Sequence, residues 1–223
     1  MTVFDELYKD VIDYFGAEPD SLLVRFQREL TPGGRVLDIG AGQGRNALFL
    51  ARQGLAVDCI DPSEVAEEQV WPCVLGDDLP VRFFPQRFET FVPDVDHYSA
   101  ILVFGLIQEL PRTAIEILVE RIEGWTKPGG LALVTAFTTA DPGFEEVSRT
   151  WREIGQNSFS SGAGFVRTFL EKDELRGLFG GWETLHYIEE LGPEHSHGTD
   201  APHRHGRVEG VFRKKTDTIR PAA

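Results

Sequence analysis

The stretch VLDIGAGQGRN at residues 36–46 constrains the fold of this chain more than any other feature. It starts as a short apolar run typical of a buried strand, passes through Gly40, Gly42 and Gly44, and continues into a helix-forming segment. Glycine tolerates a positive φ and lets the backbone approach a ligand closely, because it has no Cβ. A strand that turns through such glycines into a helix predicts a pocket for a nucleotide-type ligand over the helix amino terminus.

A second apolar run, residues 55–60, ends at Asp61, which lies 21 positions after Gly40. An acid at this distance can accept hydrogen bonds from both hydroxyls of a ribose, so Asp61 is the residue most favoured as a cofactor ligand. In the alternative interpretation, the glycines only shape a tight turn between a strand and a helix.

Two ligands suit such a pocket, a nicotinamide dinucleotide and S-adenosylmethionine. The dinucleotide fingerprint G-x-G-x-x-G/A needs a small third residue, and Arg45 occupies that position. Its side chain would obstruct the close helix packing and the pyrophosphate approach that the fingerprint serves. The observed G-x-G-x-G, preceded by Asp38, instead resembles the pattern of class I S-adenosylmethionine-dependent methyltransferases. A dinucleotide reductase is kept as the alternative.

Composition limits the partners of the chain. A net charge of −14 and a pI near 4.8 disfavour a nucleic-acid substrate, and small molecules are the expected partners. No apolar run approaches the roughly 18 residues of a membrane span, and residues 1–15 do not have the pattern of a signal peptide. With only two cysteines, a disulfide framework is not expected, and we predict a cytoplasmic protein of undetermined oligomeric state.

Apolar runs and amphipathic segments alternate along the chain, which predicts an α/β fold. The expected architecture is a doubly wound, mostly parallel seven-stranded sheet with an antiparallel C-terminal hairpin. Amphipathic spacing predicts helices from Phe4 to Phe15 and from Phe144 to Ile154. We expect one domain over residues 1–215, with a helical cap at 1–30, a lid-like insertion at 138–170 and a frayed tail at 216–223.

The succession VLDIGAGQGRNALFLA, CIDPS, SAILV and TKPGG, followed by a terminal hairpin, resembles the class I methyltransferase fold along nearly the whole chain. Within that fold, the segments GRN, WTKPGG, ELR with GWE, and EELGPEH are similar to the tellurite-resistance type. The resemblance implies S-adenosylmethionine as the cofactor and a methyl acceptor of small size. It suggests a tellurium or selenium oxyanion or a thiol, with an oxygen or nitrogen acceptor of a small metabolite as the main rival.

The resemblance also implies a set of cofactor contacts. Asp38 and the three glycines Gly40, Gly42 and Gly44 would surround the methionine and ribose end, with Asp61 on the ribose hydroxyls. Pro62 would pass along the adenine, and Phe104 would lie near the methyl group. The family commonly has an acid after the third strand that meets the adenine amino group. Gln86 stands there instead and would have to use its amide oxygen.

Candidate acceptor residues come from two segments. Gln108 and Glu109 follow the fourth strand and are expected to orient the acceptor, although Glu109 also suits the first turn of a helix starting near Pro111. By resemblance, His195 and Arg204 in the hairpin, and Arg207 as an alternative, would face the acceptor. Arginine suits an anionic acceptor, and a solvated loop is the alternative.

Three further features have two interpretations each. Tyr8, Tyr14 and Phe15 either cover the cofactor or only pack, and Arg167 either contacts the acceptor or forms a surface salt bridge. The H-x-H pairs at 195–197 and 203–205 have the spacing of a zinc-type site, although we favour no metal. If a metal did bind there, the chain would be a non-catalytic S-adenosylmethionine-binding or metal-binding sensor.

Overall fold

The structure is a computed structural model and describes residues 2–93, 98–194 and 202–216. Its strands are β1 (Arg35–Ile39), β2 (Ala56–Ile60), β3 (Val81–Phe84), β4 (Tyr98–Val103), β5 (Thr126–Phe137), β6 (Arg152–Gly155), β7 (Ser158–Ser160), β8 (Val166–Thr168), β9 (Glu183–Leu191) and β10 (Gly206–Arg213). Its α-helices are α1 (Val3–Tyr8), α2 (Ser21–Phe26), α3 (Arg45–Ala51), α4 (Glu64–Gly76), α5 (Arg112–Trp125), α6 (Phe144–Thr150) and α7 (Glu174–Leu178).

Seven strands form one sheet in the order β3-β2-β1-β4-β5-β10-β9. The first five pair in parallel, while β10 runs antiparallel to both β5 and β9. The expected fold class is therefore confirmed. Every residue of β4 is buried, as is typical of a parallel strand covered by helices on both faces.

The core consists of two apolar clusters, one on each face of the sheet. On one face α5 and α7 contribute Leu118 and Leu175, and on the other α2, α3 and α4 contribute Leu22, Leu50 and Val70. Because parallel strands point the same way, the carboxyl ends of β1, β2 and β4 meet at one edge of the sheet. This edge, called here the carboxyl edge, carries the glycine turn.

The N-terminal helix is shorter than predicted. It ends at Tyr8, and residues 9–20 continue as turns in which Asp13 adopts a φ of 58°. A left-handed residue interrupts a right-handed helix, so the apolar spacing up to Phe15 does not extend it. Contacts with the glycine turn, described below, take the place of helical packing in this segment.

The insertion is more regular than predicted and forms its own three-stranded antiparallel sheet, β6-β7-β8. The helix expected up to Ile154 stops at Thr150, and residues 152–155 pair with β7. Asn157, with a φ of 50°, shapes the tight turn between β6 and β7. Strand pairing here overrides the helical spacing of the sequence. Within the described residues, no helix has the length and apolarity needed to cross a bilayer.

Candidate functional site

The glycine turn lies between β1 and α3 at the carboxyl edge. Gly40, Gly42 and Gly44 have φ values of 73°, 50° and 81°, which side chains rarely adopt. A Cβ on Gly44 would lie only 2.8 Å from Cγ2 of Val70 in α4. Glycine is therefore required here both by conformation and by space, and the turn presents bare backbone towards the edge.

Asp61, at the end of β2, connects the two halves of this site. Its Oδ2 accepts the Gly42 N–H at 2.9 Å and its Oδ1 accepts the Ser63 N–H at 2.9 Å. Burial raises the pKa of Asp61, and the two backbone hydrogen bonds oppose that rise. Each oxygen retains a lone pair, so the carboxylate can hold the glycine turn and still accept ribose hydroxyls.

Asp38, in β1 directly before the turn, is 1% exposed. Its Oδ2 has no hydrogen-bond partner among the described residues. Burial raises its pKa to about 7, the Arg45 charge opposes the rise and the Asp61 charge adds to it. A buried carboxylate oxygen without a partner is costly, and it fits a ligand that brings a donor or a positive charge.

The other predicted cofactor residues follow the carboxyl ends of neighbouring strands. Pro62 is exposed beside Asp61, and Gln86 is half-buried after β3, with its N–H on the Phe84 carbonyl at 2.8 Å. Phe104 follows β4 and packs against the apolar cluster of the α3 face. The fold thus places all these residues along one edge, and their individual contacts with a cofactor stay predictions.

Tyr8 covers the glycine turn from α1. Its hydroxyl is 3.1 Å from the position that a Cβ on Gly42 would occupy, and its side chain is buried. Burial raises the pKa of Tyr8, and the charges of Asp61 and Glu109 add to the effect. The hydroxyl therefore stays protonated, and it lies against the glycine turn at Gly42.

The segment after α1 is held by side chains of the glycine motif itself. Gln43, Arg45 and Asn46 each hydrogen-bond to the backbone of residues 11–20. The contacts are Gln43 Nε2 to Val11 O at 2.8 Å, Tyr14 N–H to Gln43 Oε1 at 2.7 Å, Arg45 Nη1 to Phe15 O at 2.8 Å, and Asp20 N–H to Asn46 Oδ1 at 2.8 Å. The size of Arg45 is an argument against a dinucleotide. In the structure its side chain binds the N-terminal segment at the Phe15 carbonyl.

The acceptor candidates after β4 lie together. Gln108 is 6% exposed, and its Oε1 has no partner among the described residues. The Glu109 carboxylate forms an ion pair with Arg167 of β8. Burial raises the pKa of Glu109, and the positive charge of Arg167 opposes the rise. Because α5 begins only at Arg112, Glu109 is not a first-turn acid of that helix. Arg167 forms its ion pair with Glu109 in a partly buried position and not on the open surface.

The hairpin candidates are arranged differently from one another. Arg204 is exposed, and its Nε donates to the Gly192 carbonyl at 2.7 Å. Arg207 bonds to Glu190 at 3.0 Å, while its buried Nε has no partner within the described part of the chain. His195, with His197, lies outside the described residues. The assignment of these side chains to the acceptor stays a prediction.

Sequence reasoning missed the pair formed by Asp141 and His205. Nδ1 of His205 lies 2.8 Å from Oδ2 of Asp141, and the imidazole stacks on Phe137 with ring centroids 4.0 Å apart. Asp141 precedes Pro142 and Gly143, a pattern that predicts only a turn. The sequence indicates a role for His205 only as a metal ligand. Across residues 2–93, 98–194 and 202–216, no group of three His, Cys, Asp or Glu side chains is placed to hold a metal.

Comparison with known proteins places the chain in a family. The profile of the methyltransferase domain family matches residues 10–193. A relative from Eikenella corrodens, Hemagglutinin 1, is 32% identical over 173 residues, which are 76% of this chain and 50% of the relative. The chain thus spans about half the length of that relative.

Solved structures share the fold at low sequence identity. TehB from Haemophilus influenzae has a TM-score of 0.68 and 21% identity, covering 87% of this chain and 62% of TehB. The Burkholderia thailandensis 1,6-didemethyltoxoflavin-N1-methyltransferase, solved with 1,6-didemethyltoxoflavin and S-adenosylhomocysteine, has a TM-score of 0.68 and 17% identity, covering 96% and 86% of the two chains. The chain therefore belongs to the methyltransferase domain family, and its resemblance to class I S-adenosylmethionine-dependent methyltransferases is confirmed.

Proposed function

We propose that the chain transfers the methyl group of S-adenosylmethionine to a small molecule bound at the carboxyl edge. The observation that carries the proposal is the buried Oδ2 of Asp38, which has no partner among the described residues and lies beneath a turn of three positive-φ glycines. A donor-bearing, cationic amino-acid end of a ligand would satisfy that oxygen. When bound, the cofactor supplies a methyl carbon that its positive sulfur already activates.

The residues of the chain then have three tasks. The glycine backbone, Asp38 and Asp61 hold the cofactor, and Tyr8 and the N-terminal segment keep water from it. Gln108, whose buried Oε1 lacks a partner in the described structure, orients the acceptor. Alignment of this kind supplies much of the rate in a displacement that needs little other help.

The acceptor class follows from two separate arguments. The resemblance to the tellurite-resistance type, together with the likeness in fold to TehB, supports a tellurium or selenium oxyanion or a thiol. A hydroxyl or N–H acceptor is the second candidate, and the pairing of His205 with Asp141 favours it.

Calorimetric titration with S-adenosylhomocysteine tests the proposed cofactor. We expect the wild-type chain to bind it and to ignore NADH, and Asp61→Ala to weaken binding about 10- to 100-fold, as expected for lost hydrogen bonds to a charged group. Asp77→Ala is the matched control, because its exposed carboxylate pairs only with Arg52 among the described contacts. Binding of NADH alone would overturn the proposal, and cofactor binding without transfer to any acceptor would favour the sensor.

A further inference from the structure

Asp141 is held as a fixed acceptor at the carboxyl edge. The residue is 7% exposed. Its Oδ1 accepts the Gly143 N–H at 2.7 Å, and its Oδ2 accepts the Gly206 N–H at 3.0 Å. The same Oδ2 lies 2.8 Å from Nδ1 of His205. Two backbone donors leave the carboxylate with one orientation, and that orientation faces the imidazole.

This contact determines which nitrogen of His205 is basic. An ionised carboxylate only accepts hydrogen bonds, so the neutral imidazole carries its proton on Nδ1 and its lone pair on Nε2. The carboxylate also stabilises the imidazolium that forms when Nε2 takes a proton, as in the Asp–His pair of serine hydrolases. The His205 side chain is 22% exposed, so it is neither sealed in the core nor fully solvated.

The position of the pair connects it with the rest of the site. Phe137, on which His205 stacks, is the last residue of β5, the strand next to β4. The Arg167 guanidinium lies 5.4 Å from the same ring and pairs with Glu109. These contacts therefore run along the edge from Glu109, an acceptor candidate after β4, through Arg167 and Phe137 to His205.

We infer that His205, oriented by Asp141, is the general base of a transfer to an acceptor whose reacting atom carries a proton, a hydroxyl or a ring N–H. This rests on the proposed function. The acceptor oxygen or nitrogen forms its bond to the methyl carbon, the sulfur keeps the electron pair of the broken bond, and the acceptor proton goes to Nε2 of His205. A thiolate or an oxyanion of selenium or tellurium has no such proton and needs no base.

Steady-state kinetics with catechol, phenol, thiophenol and selenite tests the inference. We expect wild-type protein to methylate catechol or phenol, and His205→Asn to lower that kcat about 10²- to 10⁴-fold, the usual contribution of a general base. The KM for the acceptor and the affinity for S-adenosylhomocysteine should hardly change. Added imidazole should partly restore a His205→Ala variant. Asp141→Asn should lower kcat in the same direction.

His186→Asn is the matched control, because His186 also pairs with a carboxylate, Glu209 at 2.8 Å, but lies in β9 away from the edge. It should leave kcat near the wild-type value. A second measurement does not depend on turnover: ¹⁵N NMR of the protein without cofactor should show neutral His205 protonated on Nδ1, and Asp141→Asn should abolish that preference.

The outcomes separate the two proposals. Unchanged kcat in His205→Asn, neutral His205 protonated on Nε2, or wild-type transfer confined to thiophenol or selenite would each overturn the role of His205 while leaving methyl transfer intact. No binding of S-adenosylhomocysteine by the wild-type chain would instead overturn the proposed function itself.

Discussion

Two buried aspartates on neighbouring strands have opposite surroundings. Asp58 of β2 is fully buried and accepts hydrogen bonds from Arg35 of β1, Arg82 of β3 and Tyr98 of β4, at 2.6–2.9 Å. Asp38 of β1 is equally buried, but one of its oxygens has no partner among the described residues. One carboxylate joins four strands, and the other stands beneath the glycine turn.

The difference separates a charge that serves the fold from one that serves a ligand. Hydrogen bonds to both oxygens of a buried carboxylate offset the free energy of its desolvation. A buried oxygen without a hydrogen bond lowers the stability of the fold until a bound molecule supplies a donor. The four-strand cluster should therefore respond to mutation in stability, and the carboxyl edge in binding.

The pH dependence of stability sharpens this comparison most. The folded pKa of Asp38, about 7, lies above its ordinary value of 3.8, so the folded chain binds more protons between these values. Its contribution to the free energy of unfolding falls as the pH rises from about 4 to about 7, by about 4 kcal/mol in total. Urea unfolding of wild type and Asp38→Asn across this range measures it as the difference between the two curves.

Above pH 8, where the carboxyl is ionised in both the folded and the unfolded state, that difference should stop changing and stay at its largest value. A wild-type curve parallel to that of Asp38→Asn throughout would mean that another group satisfies Asp38 in solution. The contrast with Asp58 would then be lost.

Asp58→Asn should lower the free energy of unfolding by about 3 kcal/mol, because it removes one partner of a buried charge cluster. An amide would place N–H donors against the guanidinium groups of Arg35 and Arg82, which are 31% and 37% exposed in their side chains and can recover some hydration. Asp77→Asn on the surface should change stability by less than about 0.5 kcal/mol. A loss of that small size for Asp58→Asn would contradict its role in joining the strands.

Gly44→Ala should destabilise the chain by about 2 kcal/mol, and Gly54→Ala by only about 1 kcal/mol. Both glycines have a positive φ, 81° and 84°, but a Cβ would meet Val70 at 2.8 Å only at Gly44. The difference between the two variants in thermal unfolding thus isolates the steric part. Equal losses would show that α4 gives way and that close packing does not hold the turn.

The part of the carboxyl edge that is formed by local sequence patterns can be predicted from the sequence. The glycines, the apolar strand before them and Asp61 after the next strand all lie in patterns that a short window shows. The alternation of strands and helices is enough to predict the sheet and its terminal hairpin, because most positions of the parallel strands are apolar.

The remaining site depends on contacts between distant residues. Asp141 and His205 are 64 positions apart, and Arg45 reaches Phe15 across 30. Neither the Asp-Pro-Gly sequence nor a histidine in a polar loop differs locally from an ordinary turn or surface residue. Pairing of β6 with β7 likewise outweighs a helical spacing that looks convincing alone. These contacts and pairings are determined by tertiary packing, and they leave no periodic pattern in the sequence.

The smallest expected effect concerns the segment that covers the edge. Arg45→Ala removes a 2.8 Å hydrogen bond to the Phe15 carbonyl at a partly exposed position and should cost less than about 1 kcal/mol of global stability. Residues 9–20 should nonetheless become more sensitive to limited proteolysis, because Arg45 holds the Phe15 and Glu18 carbonyls in the middle of the segment, between the contacts made by Gln43 and Asn46. Arg52→Ala, at the other end of α3 and paired with Asp77, is the control and should leave this segment protected.

Stopped-flow binding of S-adenosylhomocysteine shows whether the segment gates the edge. If it must open for entry, Arg45→Ala should raise the association and dissociation rates together and leave Kd nearly unchanged, because the variant alters the barrier more than the bound contacts. A higher dissociation rate alone would mean that the segment holds the ligand directly. The carboxyl edge would then owe its affinity to side chains as well as to the backbone of the glycine turn.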